Sequence, residues 1–150
     1  VGTTIASGAI RVLYPPVQLG EERYLDGGSA DPIPYRQGMK DGCDKIVVIL
    51  TRERGYLKKE DKNERLVCRL CRKYPKIVER LKQRNAEYNR ASRELFELER
   101  QGRVFVIAPE DTYGVKLTEG NWGRLEPLYR EGIAEAKKRM KELKAYLGDR

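Results

Sequence analysis

Asp26, followed by Gly27 and Gly28, is the carboxylate in this chain whose setting points to chemistry rather than packing. It closes the short run Tyr24-Leu25 and precedes the proline-broken segment Asp31-Pro32-Ile33-Pro34. Glycines let a backbone fold back where a Cβ would clash, so the Asp is expected to project from a tight turn just past a strand. A carboxylate presented that way can accept a proton from a hydroxyl nucleophile or from water. The bland alternative is an ordinary Asp-Gly-Gly turn. The chain contains no histidine. A Ser-His-Asp triad, a Cys-His pair and any histidine-ligated metal are therefore excluded within these residues, which removes the commonest competitors of a carboxylate base.

The other reactive groups carry weaker signals. Asp31 is the nearest rival carboxylate, but Pro32 beside it marks it as a turn or capping residue. An activated serine is expected in a Gly-X-Ser-X-Gly elbow, where a sharp strand-to-helix turn exposes the hydroxyl. Ser7 has Ile5 two residues before it, and Ser29 follows the glycines without such a context, so neither reads as a nucleophile. Cys68 and Cys71 form a Cys-X-X-Cys, yet they lie within an amphipathic helical pattern and lack a second ligand pair. They read as small apolar helix residues, and no metal or cofactor is expected. With Cys43 the cysteines number three, too few and too odd for a disulfide framework, so a reducing compartment such as the cytoplasm is expected. No apolar run reaches the length a bilayer requires.

The elements that must position Asp26 follow from the patterning. Tyr24-Leu25 and residues 46–50 are short apolar runs of the kind buried parallel strands show. Residues 34–44 leave room for a short crossover helix, weakened by Gly38 and Gly42. Residues 55–63 form a polar, lysine-rich loop, a helix is expected over 64–73, and Pro75 opens another that runs to Arg100. Gln101-Gly102 ends it, and residues 104–107 make a third strand. Leu125, Leu128, Tyr129, Ile133, Ala136, Met140, Leu143 and Leu147 recur at helical spacing in a last amphipathic helix. Alternating strands and helices predict an α/β fold, a mostly parallel sheet flanked by helices. Such sheets hold their sites beyond the carboxyl ends of the strands, which is where Asp26 would fall.

Composition adds two constraints. Charged residues make up 36% and apolar residues 39%, a small apolar share for 150 residues. Either the chain is a piece that completes its core against other elements, or it is a small domain dominated by surface helices. Between Arg52 and Arg84, thirteen Lys or Arg stand against five Asp or Glu, a net of +8 that equals the charge of the whole chain. Such a stretch can dock on an anionic membrane, or it can be a pair of solvated helix faces. A nucleic-acid module would interleave stacking aromatics with the charge, and Tyr56, Tyr74 and Tyr88 are the candidates. No RNP, KH or zinc-finger pattern appears, so nucleic acid is not the expected partner.

Taken together, Tyr24-Leu25-Asp26-Gly27-Gly28 with Asp31-Pro32-Ile33-Pro34, then Lys45 through Arg52, Gly55-Tyr56 and Lys58, then Tyr88-Asn89, Phe105-Val106-Ile107-Ala108-Pro109 and Leu128-Tyr129, resemble the C-terminal half of bacterial patatin-like phospholipases. The resemblance runs from about Thr4 to the last helix. It implies a serine acyl hydrolase with a Ser-Asp dyad, in which Asp26 is the catalytic proton acceptor and Asp26, Gly27 and Gly28 form its motif. The serine elbow and the glycine-rich oxyanion loop of the family have no counterpart here, and the chain begins with Val1-Gly2-Thr3 rather than Met. Residues 1–150 are thus expected to be the C-terminal portion of such a domain, inactive alone, with the N-terminal half as partner. The substrate implied is a lipid or other carboxylic ester, with peripheral contact to an anionic membrane. The alternative is a non-catalytic module or scaffold whose basic surface binds nucleic acid or membrane.

Overall fold

The computed structural model describes residues 2–7, 16–59, 64–116 and 119–148. Residues 8–15, which the resemblance also spans, and residues 60–63 of the expected loop lie outside them. The described residues are mixed α/β with two small sheets, one of them a parallel pair. In chain order the elements are α1 (Gly2–Ser7), β1 (Val17–Leu19), β2 (Glu22–Tyr24), a single 3-10 turn (Gly27–Ser29), α2 (Tyr35–Lys40), β3 (Val47–Ile49), α3 (Glu64–Leu70), α4 (Pro75–Arg100), β4 (Phe105–Ile107) and α5 (Trp122–Leu147). They group into two compact units, Val1–Pro34 with Leu57–Ser92, and Tyr35–Tyr56 with Arg93–Arg150.

In the first unit, β1 and β2 form an antiparallel hairpin that pairs Val17 with Tyr24 and Leu19 with Glu22. Gly20 supplies the positive φ (+62°) that a two-residue hairpin loop needs. The expectation of a buried parallel strand at Tyr24-Leu25 is therefore overturned. Glu22, Arg23 and Tyr24 are all exposed, and their partner is a hairpin strand rather than residues 46–50. The reason lies in the flanks. Glu21, Glu22 and Arg23 crowd the two apolar residues, and a strand buried on both faces cannot absorb that charge. Since β2 and β3 occupy different sheets, α2 is not the crossover between them. Among the unit's described residues, Ile33, Leu81, Tyr88 and Ala91 are the buried apolar ones.

In the second unit, β3 and β4 run parallel with Val47 opposite Phe105 and Ile49 opposite Ile107. β4 is buried along its whole length, whereas Val47 and Ile49 of β3 are exposed. Leu95 and Leu98 of α4 are buried in the same unit, and α5 packs on β4. Tyr146 of α5 ties the sheet to the helix: its hydroxyl accepts from the Ile46 N–H at 3.1 Å and donates to the Arg103 carbonyl at 3.1 Å. The end of α4 is fixed by Gly102, whose left-handed φ (+70°) lets its N–H reach the Glu99 carbonyl while Arg103 N–H reaches Leu98.

Candidate functional site

Asp26 lies on the turn between β2 and Ile33 and caps the 3-10 turn that follows it. Its Oδ1 accepts the Gly28 N–H at 2.9 Å, and its carbonyl accepts the Ser29 N–H at 3.1 Å. The carboxylate is half-buried, and the described residues give its second oxygen no hydrogen bond. Gly27 and Gly28 do not serve the purpose expected of them. Neither has a positive φ, and a Cβ on Gly27 would meet open space. A Cβ on Gly28 would sit 3.4 Å from Asp26 Oδ1. What the second glycine provides is an uncovered carboxylate, not a backbone reversal.

That carboxylate lies on the wall of a cavity of about 330 Å³ contained in the first unit. Pro16, Tyr24, Leu25, Ala30, Tyr74 and Ile77 give it apolar and aromatic surface, and Arg23, Lys76 and Arg80 add three cations. Two sequence-distant pieces meet here. The hairpin and its turn supply one wall, and the start of α4, opened by Pro75 at its first position, supplies the other. An apolar cavity holding a carboxylate and edged by cations suits a ligand with an apolar body and a polar or anionic group. Arg23, Lys76 and Arg80 are not residues the sequence singled out; Lys76 and Arg80 belong to the basic stretch and Arg23 does not, and nothing local shows that the three share a cavity.

The remaining candidates fall as follows. Asp31 is a turn residue, its Oδ1 accepting the Ile33 N–H at 3.3 Å. Ser7 ends α1, and Ser29 lies in the 3-10 turn and lines the cavity, so neither occupies a strand-to-helix elbow. Cys68 lies within α3 and Cys71 just past it, and both are free, as is Cys43. Among the described residues no group of three or more His, Cys, Asp or Glu side chains is placed to hold a metal ion. No helix there is long and apolar enough to cross a membrane. Of the three tyrosines offered as stacking platforms, Tyr88 is buried beneath Lys58 and Tyr56 is half-buried under Arg52, while Tyr74 lines the Asp26 cavity.

The rule that α/β sites lie beyond the carboxyl ends of parallel strands does not reach Asp26, because β2 is not in the parallel sheet. It applies instead to a second cleft of about 580 Å³, where Ala108, Pro109 and Glu110 follow β4 and meet Arg54 and α5. This cleft is a charge network. Lys138 pairs with Glu110 at 2.5 Å and approaches the buried Glu135 at 3.6 Å, and Arg139 pairs with Glu142 at 2.7 Å. Arg54 grips Glu99 with both terminal nitrogens, at 2.6 and 2.8 Å, and donates to the Val106 carbonyl at 3.0 Å. Burial disfavours the Glu99 charge, but the Arg54 hydrogen bonds and charge, with Arg139 and the Val106 backbone, hold its carboxyl below the usual range. With its charges matched internally, the network fastens the loop after β3 to α4 and β4.

A mixed α/β architecture carrying a hairpin-borne carboxylate cavity and a parallel strand pair is thus the class that fold and geometry define. Residues 74–148, half of the chain, match the family model described as a domain of unknown function (DUF6363), and the chain belongs to that family. The matched region takes in α4, β4 and α5, and Asp26 lies before it. No curated protein matches the chain.

Proposed function

We propose that this chain is the carboxylate-bearing C-terminal part of a patatin-like serine hydrolase domain acting on carboxylic esters of lipids. Asp26 is the proton acceptor, and the serine nucleophile comes from a segment outside these 150 residues. The observation that carries the reading is the uncovered Asp26 carboxylate on the wall of a mainly apolar cavity. The exposed Val47 and Ile49 of β3 support the larger fold, since parallel strands are ordinarily covered on both faces and the face these two occupy is left for a further element to cover. In the acylation step the serine hydroxyl passes its proton to Asp26 as its oxygen adds to the ester carbonyl. The intermediate then collapses, and the alcohol leaves with that proton. Water then gives a proton to Asp26 and adds to the acyl-serine, and the serine oxygen leaves with that proton, freeing the acid and restoring the Asp26 carboxylate. An Asp is a weak base for a hydroxyl, so a preorganised oxyanion hole must carry much of the stabilisation. The cations on the cavity wall orient a polar or anionic head, and peripheral contact with an anionic membrane belongs to the same proposal.

The test is fluorophosphonate labelling of the native full-length protein, read by intact mass and peptide mapping, alongside ester turnover. The adduct is expected on a serine outside residues 1–150. Asp26→Asn, which keeps the capping acceptor, should lower turnover by at least about a hundredfold without unfolding the protein. An adduct on Ser7 or Ser29, or near-wild-type turnover of the variant, removes the mechanism. Absence of any adduct leaves the binding-module alternative in its place.

A further inference from the structure

The outer edge of the amphipathic stripe of α5 lies off the face that packs on the protein, while Leu125, Leu128, Ala136 and Leu143 are half-buried. The helix contacts β4 through Arg139 and Tyr146, whose partners include the Phe105 ring, and Glu135 on the same side is buried. Trp122, Tyr129, Ile133, Met140 and Leu147 point elsewhere and are 40–60% exposed. At 100° per residue these five fall within an arc of about 40°, a line about 38 Å long. Trp122 and Tyr129 already touch along it, their ring centroids 6.0 Å apart. With the half-buried Ala136 and Leu143, positions 129, 133, 136, 140, 143 and 147 step by four and three alternately, the spacing of a coiled-coil seam. A membrane-surface helix carries a broad apolar face; this one, about 80° wide with Ala136 and Leu143 included, fits the groove of another helix.

We propose that this seam docks an acidic amphipathic helix of a separate protein. The charges beside it choose that occupant. Arg130, Lys137 and Lys144 form a row along its solvent flank, and only Arg130 has an ion-pair partner among the described residues, Glu126. The opposite flank is engaged internally, Arg139 with Glu142 and Phe105, and Tyr146 with the sheet. A second antiparallel copy would set the basic row against itself. A parallel copy would need the flank that is turned into the protein. A helix with apolar residues in its own seam and glutamates beside it meets neither obstacle.

Trp122, the only tryptophan of the chain, reports occupancy directly. The full-length protein, with its Trp122→Phe variant as the blank, is titrated with a designed helical peptide bearing leucines at its seam and glutamates beside it. In parallel it meets a lysine version of the peptide and vesicles of equal phosphatidylglycerol and phosphatidylcholine. The acidic peptide should shift Trp122 emission to shorter wavelength and saturate. I133E/M140E should abolish the shift. K137E/K144E should weaken the acidic peptide at least tenfold and create affinity for the basic one, a reversal that a misfolded variant could not give. Equal response to both peptides, a shift with vesicles alone, self-association in sedimentation, or no shift would each overturn the proposal.

Discussion

At the scale of single residues, the turn after β2 makes a sharp separation between fold and chemistry. Gly28 has a backbone conformation that alanine accepts, and the added methyl would lie 3.4 Å from the Asp26 carboxylate, in ordinary contact. Gly28→Ala should therefore leave the melting temperature unchanged or raise it slightly, because a compatible Gly→Ala change restricts the unfolded chain by about 0.4–1 kcal/mol. On the proposed mechanism the same methyl shields the base, and ester turnover of the full-length protein should fall at least about tenfold. Turnover unchanged in that variant would mean the carboxylate is not approached from that side. The position of Asp26 on a turn was legible in Asp-Gly-Gly followed by two prolines. Residue type alone allows two reasons for the glycines, a backbone reversal or a close approach by the substrate, and the lack of a positive φ at either position removes the first.

At the scale of elements, legibility followed chemical punctuation. Pro75 and Gln101-Gly102 bracket α4, and the helix spans Pro75–Arg100 because proline fits the first turn and Gly102 takes the left-handed stop. β2 was misread because two apolar residues beside charged ones fit an edge hairpin as well as a strand end, and pairing partners are nonlocal. Packing is also where the largest stability effects should lie. Leu95 of α4 is fully buried, so Leu95→Ala should cost about 2–5 kcal/mol, read as a lower urea midpoint. A loss under 1 kcal/mol would mean the second unit's core is looser than its burial implies. The Arg54–Glu99 pair gives a pH dependence of known sign. The Glu99 carboxyl titrates lower in the folded protein than in the unfolded chain, where it ionises near pH 4.5. Its contribution is therefore complete above that value and is lost as pH falls through the folded-state value. Glu99→Gln should flatten the acid limb of stability below about pH 4.5, measured by urea midpoints against pH. An unchanged limb would assign acid sensitivity to other carboxylates.

At the scale of the whole molecule, burial is unevenly shared, and the proposed larger domain predicts where it should increase. Leu95, Val104 and Val106 are the largest fully buried side chains, all in the second unit, whereas every residue of β2 is exposed. Amides of β4 and of the end of α4 should exchange slowest, and those of the hairpin fastest, because protection tracks local contact and cover. β3 offers a finer reading. Leu50 N–H bonds to the Ile107 carbonyl and Ile46 carbonyl to the Phe105 N–H, so alternate residues on that strand face β4. Val47 and Ile49 turn their backbone groups to the opposite edge, where no strand pairs among the described residues. That open edge and the low apolar share have one physical explanation if a longer sheet continues there. The Val47 and Ile49 amides should then exchange quickly in the 150-residue chain and become protected in the full-length protein, by at least about tenfold, while those of β4 change little. Equal exchange in both forms would mean the parallel pair is the whole sheet, and the patatin-like domain proposal would fall even if Asp26 proved to be a base.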